Sequence, residues 1–214
     1  MKLFSAAAAV AALTLAASAP ARADMLVDVL LDFENVSSYI GTTGLPATTV
    51  NGVNVTFGNE SIGLASDADF NYFTNAPSPL GVLVTADPAL DSTADASINV
   101  SAGFVNSISF YYSSSVAVSN AVTIWSGLHG TGTVLGTIDL SNNATNGCSD
   151  SSFCHFDQLT ATFTGVAQSI TFSSPSYSAA FDNVSLQAVP EPATNVALLA
   201  GLGVLGLVAR RRRG

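Results

Sequence analysis

Apolar side chains recur at every second position between residues 24 and 188, which is the period of a β-strand. In the clearest run, Leu159, Ala161 and Phe163 alternate with threonines. Clusters of Gly, Asn, Ser and Pro separate the runs, and no stretch in this part of the sequence has helical spacing. The pattern predicts an all-β fold over 24–188, an antiparallel two-sheet sandwich of about nine or ten strands that is jelly-roll-like.

Individual strands can be placed from the same alternation. The opening run puts Val27, Val29, Leu31 and Phe33 on one face, and Asn51-Gly52 predicts a type I′ turn between two short strands. Further strands are predicted around residues 81–85, 98–100, 108–112, 121–126, 133–140, 159–163, 169–173 and 180–187. The polar stretch 60–79 is interpreted as a wide connection, with a functional loop as the alternative.

The first 23 residues have the three parts of a secretory signal peptide. Met1-Lys2 supplies a positive start, an alanine-rich apolar run extends from Leu3 to Leu15, and Ala21-Arg22-Ala23 fits a small-x-small cleavage site. The mature chain is therefore expected to begin at Asp24 and to depend on the export machinery. The alternative is an N-terminal anchor helix, for which the apolar run is too short.

The other end, residues 189–214, also has three parts. Pro190, Glu191 and Pro192 precede an uncharged apolar run over 195–209, and four arginines follow it at positions 210–213. A single transmembrane helix is expected here, short for a bilayer core but flanked by side chains able to snorkel. Arg210, Arg211, Arg212 and Arg213 should stay in the cytoplasm by the positive-inside rule. The alternatives are an ordinary membrane anchor and a sorting signal.

This tripartite end closely resembles the sorting signal of the PEP-CTERM family of bacterial surface proteins. The resemblance implies that a membrane protease-transpeptidase, an exosortase, recognises the signal and removes the anchor near the proline motif. It further implies an inner-membrane-anchored precursor that reaches the envelope, surface or extracellular matrix of a Gram-negative-type bacterium, in association with exopolysaccharide or biofilm.

The charges are distributed very unevenly along the chain. All six basic residues lie at the two ends, and none occurs between Ala23 and Ala209. Of the 15 Asp and Glu residues, only Glu191 lies outside residues 24–188. Nucleic acid and anionic lipid are not expected as partners, because binding phosphate requires cationic side chains. Cations, neutral sugars and other proteins remain possible ligands.

The chain contains two cysteines, Cys148 and Cys154, separated by five residues. An even number of cysteines in an exported protein predicts a disulfide, here one that fixes a loop rather than stapling a core. A metal site is not expected, since His155 is the only adjacent additional ligand.

Three carboxylates at the two ends of the sandwich suggest a calcium ion. Alternation places Asp182 on the same strand face as Val184 and Leu186, the face that a sandwich buries, and no Lys or Arg can neutralise it there. Calcium, with Asp32 and Glu34 as co-ligands, is one solution. The alternative is that Asp182 only accepts backbone N–H bonds. Opening and closing strands of this form resemble galactose-binding-like jelly rolls of carbohydrate-binding modules, a resemblance that implies a structural calcium near the chain ends.

No acid or histidine stands in a recognisable catalytic motif, so an enzyme is not expected. The sequence favours a non-enzymatic surface or matrix protein with a structural or adhesive role. The alternative is a carbohydrate-binding module that recognises extracellular polysaccharide through Trp125 and surface tyrosines. A small secreted hydrolase is a third hypothesis.

Overall fold

A computed structural model describes residues 25–36, 45–66, 72–86 and 93–189, with side chains from residue 96 onward in the last range. Its elements are β1 (Val27–Leu31), β2 (Thr48–Val50), β3 (Val53–Phe57), β4 (Ser61–Ala65), β5 (Gly81–Thr85), β6 (Thr93–Ser114), β7 (Val118–Trp125), β8 (Val134–Leu140), β9 (Asp157–Thr162), β10 (Ala167–Pro175) and β11 (Ala179–Ala188). Every strand pair is antiparallel. The all-β class is confirmed.

The signal peptide, Pro190, Glu191, Pro192, the run 195–209 and Arg210 to Arg213 all lie outside the described residues. Within the described ranges no helix is long and apolar enough to cross a membrane.

Two layers are joined through the long strand β6. Its first half pairs with β10 and β3, and its second half pairs with β11 and β9. Between the halves, Gly103 (φ 85°) and Asn106 (φ 71°) adopt left-handed conformations, which let the strand turn from one layer into the other. The first sheet has the order β2-β3-β6-β10-β7-β8, and the second has the order β9-β6-β11-β5-β4. In the second sheet β1 also pairs with β11, farther along that strand than β5 does.

The main core lies between these two sheets. Phe110 on β6 contacts Phe172 on β10 and Phe181 on β11, with ring centroids 6.0 and 5.9 Å apart. All three rings are fully buried, and each contributes about 1.5–3 kcal/mol through removal of its apolar surface from water. Edge-to-face ring pairs add about 0.5–1.5 kcal/mol each. The predicted two-sheet sandwich is therefore confirmed, with aromatic rings linking the layers.

A second, smaller cluster covers the outer face of the second sheet. Ile62, Leu64, Val82 and Val84 of β4 and β5 pack there beneath two loops, residues 72–80 and 141–156. The interpretation of 60–79 as a wide connection was thus wrong in part. Residues 61–65 form β4. The apolar side chains of Ile62 and Leu64 lie on one face of this strand, and the last residues of the stretch 60–79 cover that face.

The hairpin prediction is confirmed in detail. Asn51 (φ 51°) and Gly52 (φ 84°) both have the positive φ of a type I′ turn, and β2 pairs with β3 across them. The separate strands predicted around 98–100 and 108–112 are instead parts of β6, because Gly103 and Asn106 bend this strand without ending it.

Candidate functional site

The closing strand β11 has a bulge where it pairs with β6. Phe181 is paired with Tyr112 and Leu186 with Ile108, so the six residues Phe181–Leu186 of β11 lie opposite the five residues Ile108–Tyr112 of β6. Asn183, with φ 48°, lies at this irregularity. Because directly paired residues share a face, Phe181 and Leu186 both point into the main core. Asp182, next to Phe181, therefore points to the opposite face, and its predicted location beside Val184 and Leu186 was wrong.

Asp182 is nevertheless fully buried. Its Oδ2 accepts a hydrogen bond from the Ser78 N–H (2.7 Å), and its Oδ1 accepts one from the Asn183 N–H (2.7 Å). Burial raises the pKa of this carboxyl, and the nearby Glu34 charge raises it further, against the opposing effect of these donors. The protonated form of Asp182 is therefore favoured more in the folded protein than in water.

The Ser78 hydroxyl connects Asp182 to the opening strand. Ser78 Oγ lies 2.6 Å from Asp182 Oδ1 and 2.7 Å from the carbonyl oxygen of Asp32. Both neighbours are acceptors when Asp182 is ionised, yet a hydroxyl carries one hydrogen. The single hydrogen of the Ser78 hydroxyl can therefore serve one of these two oxygens at a time, and the hydroxyl links Asp182 to the end of β1.

Asp32 and Glu34 belong to the same arrangement. Asp32 Oδ1 accepts the Glu34 N–H at 3.3 Å, while Glu34 Oε1 accepts the N–H groups of Leu80 (2.8 Å) and Gly81 (3.1 Å). The three residues predicted as calcium ligands therefore converge on one segment, residues 78–81, which they fix through hydrogen bonds.

Ligand atoms of three metal-binding side chains lie within 4.8 Å of one another in only one group of the described residues, Cys148, Asp150 and Cys154. Its two cysteines are joined in a disulfide, so they offer no thiolates. Calcium binding by Asp32, Glu34 and Asp182 stays a prediction.

The backbone of Phe33, which lies between Asp32 and Glu34, is strained. Its φ of 54° is uncommon for a bulky residue, costs about 1–3 kcal/mol, and persists only where the surrounding contacts enforce it. Gly81 allows the conformation, since a Cβ at that position would lie 2.0 Å from the Phe33 carbonyl oxygen. The contacts of Asp182, Glu34 and Gly81 together hold the strained turn.

A cleft of about 470 Å³ opens beside this turn. Residues 30–36 form one wall, residues 45–51 form the other, and Phe57 contributes to the base. None of these residues was singled out as a ligand contact from the sequence, apart from the acids. The available signal was the Asn51-Gly52 hairpin, which had to be placed against the opening strand before a cleft could be inferred.

Trp125 lies elsewhere, on the outer face of the first sheet. It is half-buried, and its indole N–H donates to Thr171 Oγ1 at 2.9 Å. Gly130 lies over the indole, because a Cβ on that glycine would be 3.7 Å from Nε1. Two of the tyrosines lie away from it: Tyr112 belongs to the main core, and Tyr72 stacks on Phe153 in the smaller cluster.

The predicted disulfide between Cys148 and Cys154 is present. Its loop supplies Phe153 to the smaller cluster, where the Phe153 carbonyl accepts the Thr74 N–H at 3.0 Å. Asn75 Nδ2 donates to the Cys154 carbonyl at 3.0 Å. The bridge fixes this loop, and the loop in turn contributes Phe153 to the smaller cluster.

The fold and the site define a β-sandwich module of the jelly-roll type with a cleft at its opening strand. The chain matches the PEP-CTERM protein-sorting motif over residues 188–213. This motif indicates an exported, membrane-anchored precursor that is sorted to the cell surface, and it implies processing by an exosortase.

Solved structures resemble the sandwich at low sequence identity. The K2 cleaved adhesin domain of Lys-gingipain is 16% identical, with a TM-score of 0.43 over 74% of this chain and 97% of that one. A mutant family 29 carbohydrate-binding module complexed with mannohexaose is 10% identical, with a TM-score of 0.40 over 76% and 92%. A family 29 module from Piromyces equi is 11% identical, with a TM-score of 0.40 over 76% and 91%. No curated protein sequence matches the chain.

Proposed function

We propose that the chain is a non-enzymatic protein of the cell surface or extracellular matrix, with a structural or adhesive role among the exopolysaccharides of a Gram-negative-type bacterium. The observation that carries this proposal is the sorting motif at 188–213, which directly follows the last strand of a compact sandwich. The sandwich is the part of the chain that the motif delivers, so the molecular role belongs to it.

A binding role toward polysaccharide is the more specific form of this proposal. The cleft of about 470 Å³ favours it, because pockets for small ligands generally measure about 300–1,000 Å³. The described residues contain acids but no Lys or Arg, so an anionic chain would be repelled and a neutral one would not.

The test uses the exported protein purified from the envelope and the extracellular polysaccharide of the producing cells. We expect retardation of the protein in a gel that contains the polysaccharide, with little change between low and moderate salt, because a neutral ligand exchanges no counterions. We expect no release of reducing ends over the same period. Release of sugar would instead favour the hydrolase, and a protein that migrates unchanged would refute polysaccharide binding.

A further inference from the structure

We infer that the cleft between β1 and β2 is the binding site for a neutral saccharide, with Asn35 and Thr49 on its two walls as contact residues. The inference rests on the proposed polysaccharide binding and gives it a location. It differs from the location expected on the sequence, the Trp125 surface.

The cleft lies between two strand edges that lack a strand partner. Among the described residues, β1 pairs only with β11, and β2 pairs only with β3. Each strand thus turns an edge of backbone N–H and C=O groups toward the other. A saccharide hydroxyl can both donate and accept, so it suits an edge where the two kinds of backbone group alternate.

The side chains around the cleft divide into an apolar base and a polar rim. Exposed Leu30 and half-buried Leu45 and Phe57 supply apolar surface, and the Phe57 ring meets the buried Phe33 ring edge to face with centroids 6.4 Å apart. Asn35 and Thr49 at the rim are exposed. A pyranose ring has the matching construction, an apolar C–H surface bordered by hydroxyls.

Charge selects against acidic ligands at this position. Asp32 and Glu34 belong to the cleft wall, and no cationic side chain lies anywhere in the described part of the chain. An anionic sugar would bring its charge close to these carboxylates without a counter-charge. The walls therefore favour a neutral saccharide over a uronic acid or a phosphorylated glycan.

Both walls are fixed before any ligand arrives. On one side, Asp182 and Ser78 hold the Asp32 carbonyl, and Glu34 holds the N–H groups of residues 80 and 81. On the other side, Asn51 Nδ2 donates to the Asp28 carbonyl at 2.8 Å, which ties the hairpin to β1. Strain at Phe33 is retained at a wall that these contacts enforce, as expected where a binding surface is preorganised.

The experiment compares the double variant Asn35→Ala/Thr49→Ala with a matched control, Thr160→Ala/Thr162→Ala. All four side chains are exposed, and the control pair lies on β9 at another edge of the molecule. The probes are the neutral and acidic fractions of the producing cells' extracellular polysaccharide, separated by anion exchange and trimmed to oligosaccharides. Affinity is measured by titration calorimetry, and an unchanged thermal midpoint shows that each variant is folded.

We expect the wild type to bind the neutral fraction in preference to the acidic one. The cleft variant should lose about thirty-fold in affinity, since two hydrogen bonds of about 1 kcal/mol each are removed, and the control should bind as the wild type does. Undiminished binding by the cleft variant would overturn the site, especially if Trp125→Ala abolished binding, while polysaccharide binding itself would stand. Equal or tighter binding of the acidic fraction would overturn the ligand class. Binding of neither fraction by the wild type would refute the proposed function together with the site.

Discussion

Asp182 is a carboxyl in the interior of a domain that offers no cation to neutralise it. Sequence reasoning gave two answers, a calcium ion or backbone donors, and the structure supplies donors from Ser78 and Asn183. The resulting clamp joins β11, the segment 78–81 and the end of β1. A single buried side chain thereby stabilises one wall of the cleft from behind.

The stability of the fold should depend on the protonation of Asp182. Its unfolded pKa is near 3.8, and burial raises the folded pKa above that value. The folded state therefore keeps the proton where the unfolded state has released it, and the free energy of unfolding falls as pH rises from 3.8 through the folded pKa. Relative to Asp182→Asn, which cannot titrate, the wild type should be most stable at and below pH 3.8 and should lose that advantage as pH rises through the folded pKa.

Urea unfolding at a series of pH values measures this difference, and Asp157→Asn provides a control of opposite sign. The hydrogen bond from Asn143 lowers the pKa of Asp157, and His155 contributes in the same direction. Its stabilising effect is present above 3.8 and is lost as pH falls through its folded pKa. A stability difference between wild type and Asp182→Asn that stays constant from pH ~4 to ~8 would contradict a raised pKa.

At the scale of elements, the sequence was informative wherever one strand face met water. β9 alternates cleanly between half-buried and exposed positions, and the Asn51-Gly52 turn fixed its hairpin. β4 was missed because its residues are buried or half-buried on both faces, which removes the alternation. The face of Asp182 was wrong because a bulge adds one residue to the count, and no local signal in β11 marks Asn183 as that residue.

The cleft could not be predicted from any single segment of the sequence. Its walls come from two parts of the chain whose strands pair with different neighbours, β11 and β3. The two walls come close to each other because β6 turns from one layer into the other at Gly103 and Asn106. Which strands are brought together depends on the whole set of pairings.

The disulfide-closed loop should behave as a brace for the smaller cluster. Replacing Cys148 and Cys154 with serine should lower the free energy of unfolding by about 2 kcal/mol through loop entropy, and by more if Phe153 leaves the cluster. Tyr72, whose ring lies 4.7 Å from that of Phe153, should then lose near-ultraviolet circular dichroism.

Chemical unfolding of the double variant measures this effect, with Ser152→Ala as a control in the same loop. Ser152 is exposed, so its hydroxyl should contribute little. Both cysteines should resist alkylation in the native protein until reductant is added. Full labelling of both thiols without reductant, or an unchanged Tyr72 signal in the serine variant, would contradict the bracing role.

At the scale of the molecule, both ends of the sandwich leave from the same place. Val27 of β1 is paired with Ala188 of β11, and Ala188 is paired on its other side with Phe104. The Val189 N–H still donates to the Gly103 carbonyl, at 2.9 Å. Ordered backbone thus extends to the residue immediately before Pro190, and the sorting motif begins where the folded domain ends.

This arrangement leads to a prediction about processing. Cleavage inside the sandwich would have to break the central strand β11, whereas cleavage after Val189 costs the domain no strand pairing. We expect the intact mass of the form released from the envelope to end near Glu191, with the sandwich unchanged in stability. Replacing Pro190 and Pro192 with alanine should leave export intact and trap the uncleaved form in the inner membrane, because an alanine pair no longer prevents regular helix from extending through Glu191.

Pro77→Ala is the matched control, since it removes an exposed proline from the sandwich and leaves the motif intact. It should be processed as the wild type is. Retention of Arg213 in the major surface species of the wild type would mean that the tail acts as a plain anchor. Normal processing of the Pro190 and Pro192 variant would mean that the protease recognises the junction by another feature of the sequence between Val189 and the apolar run.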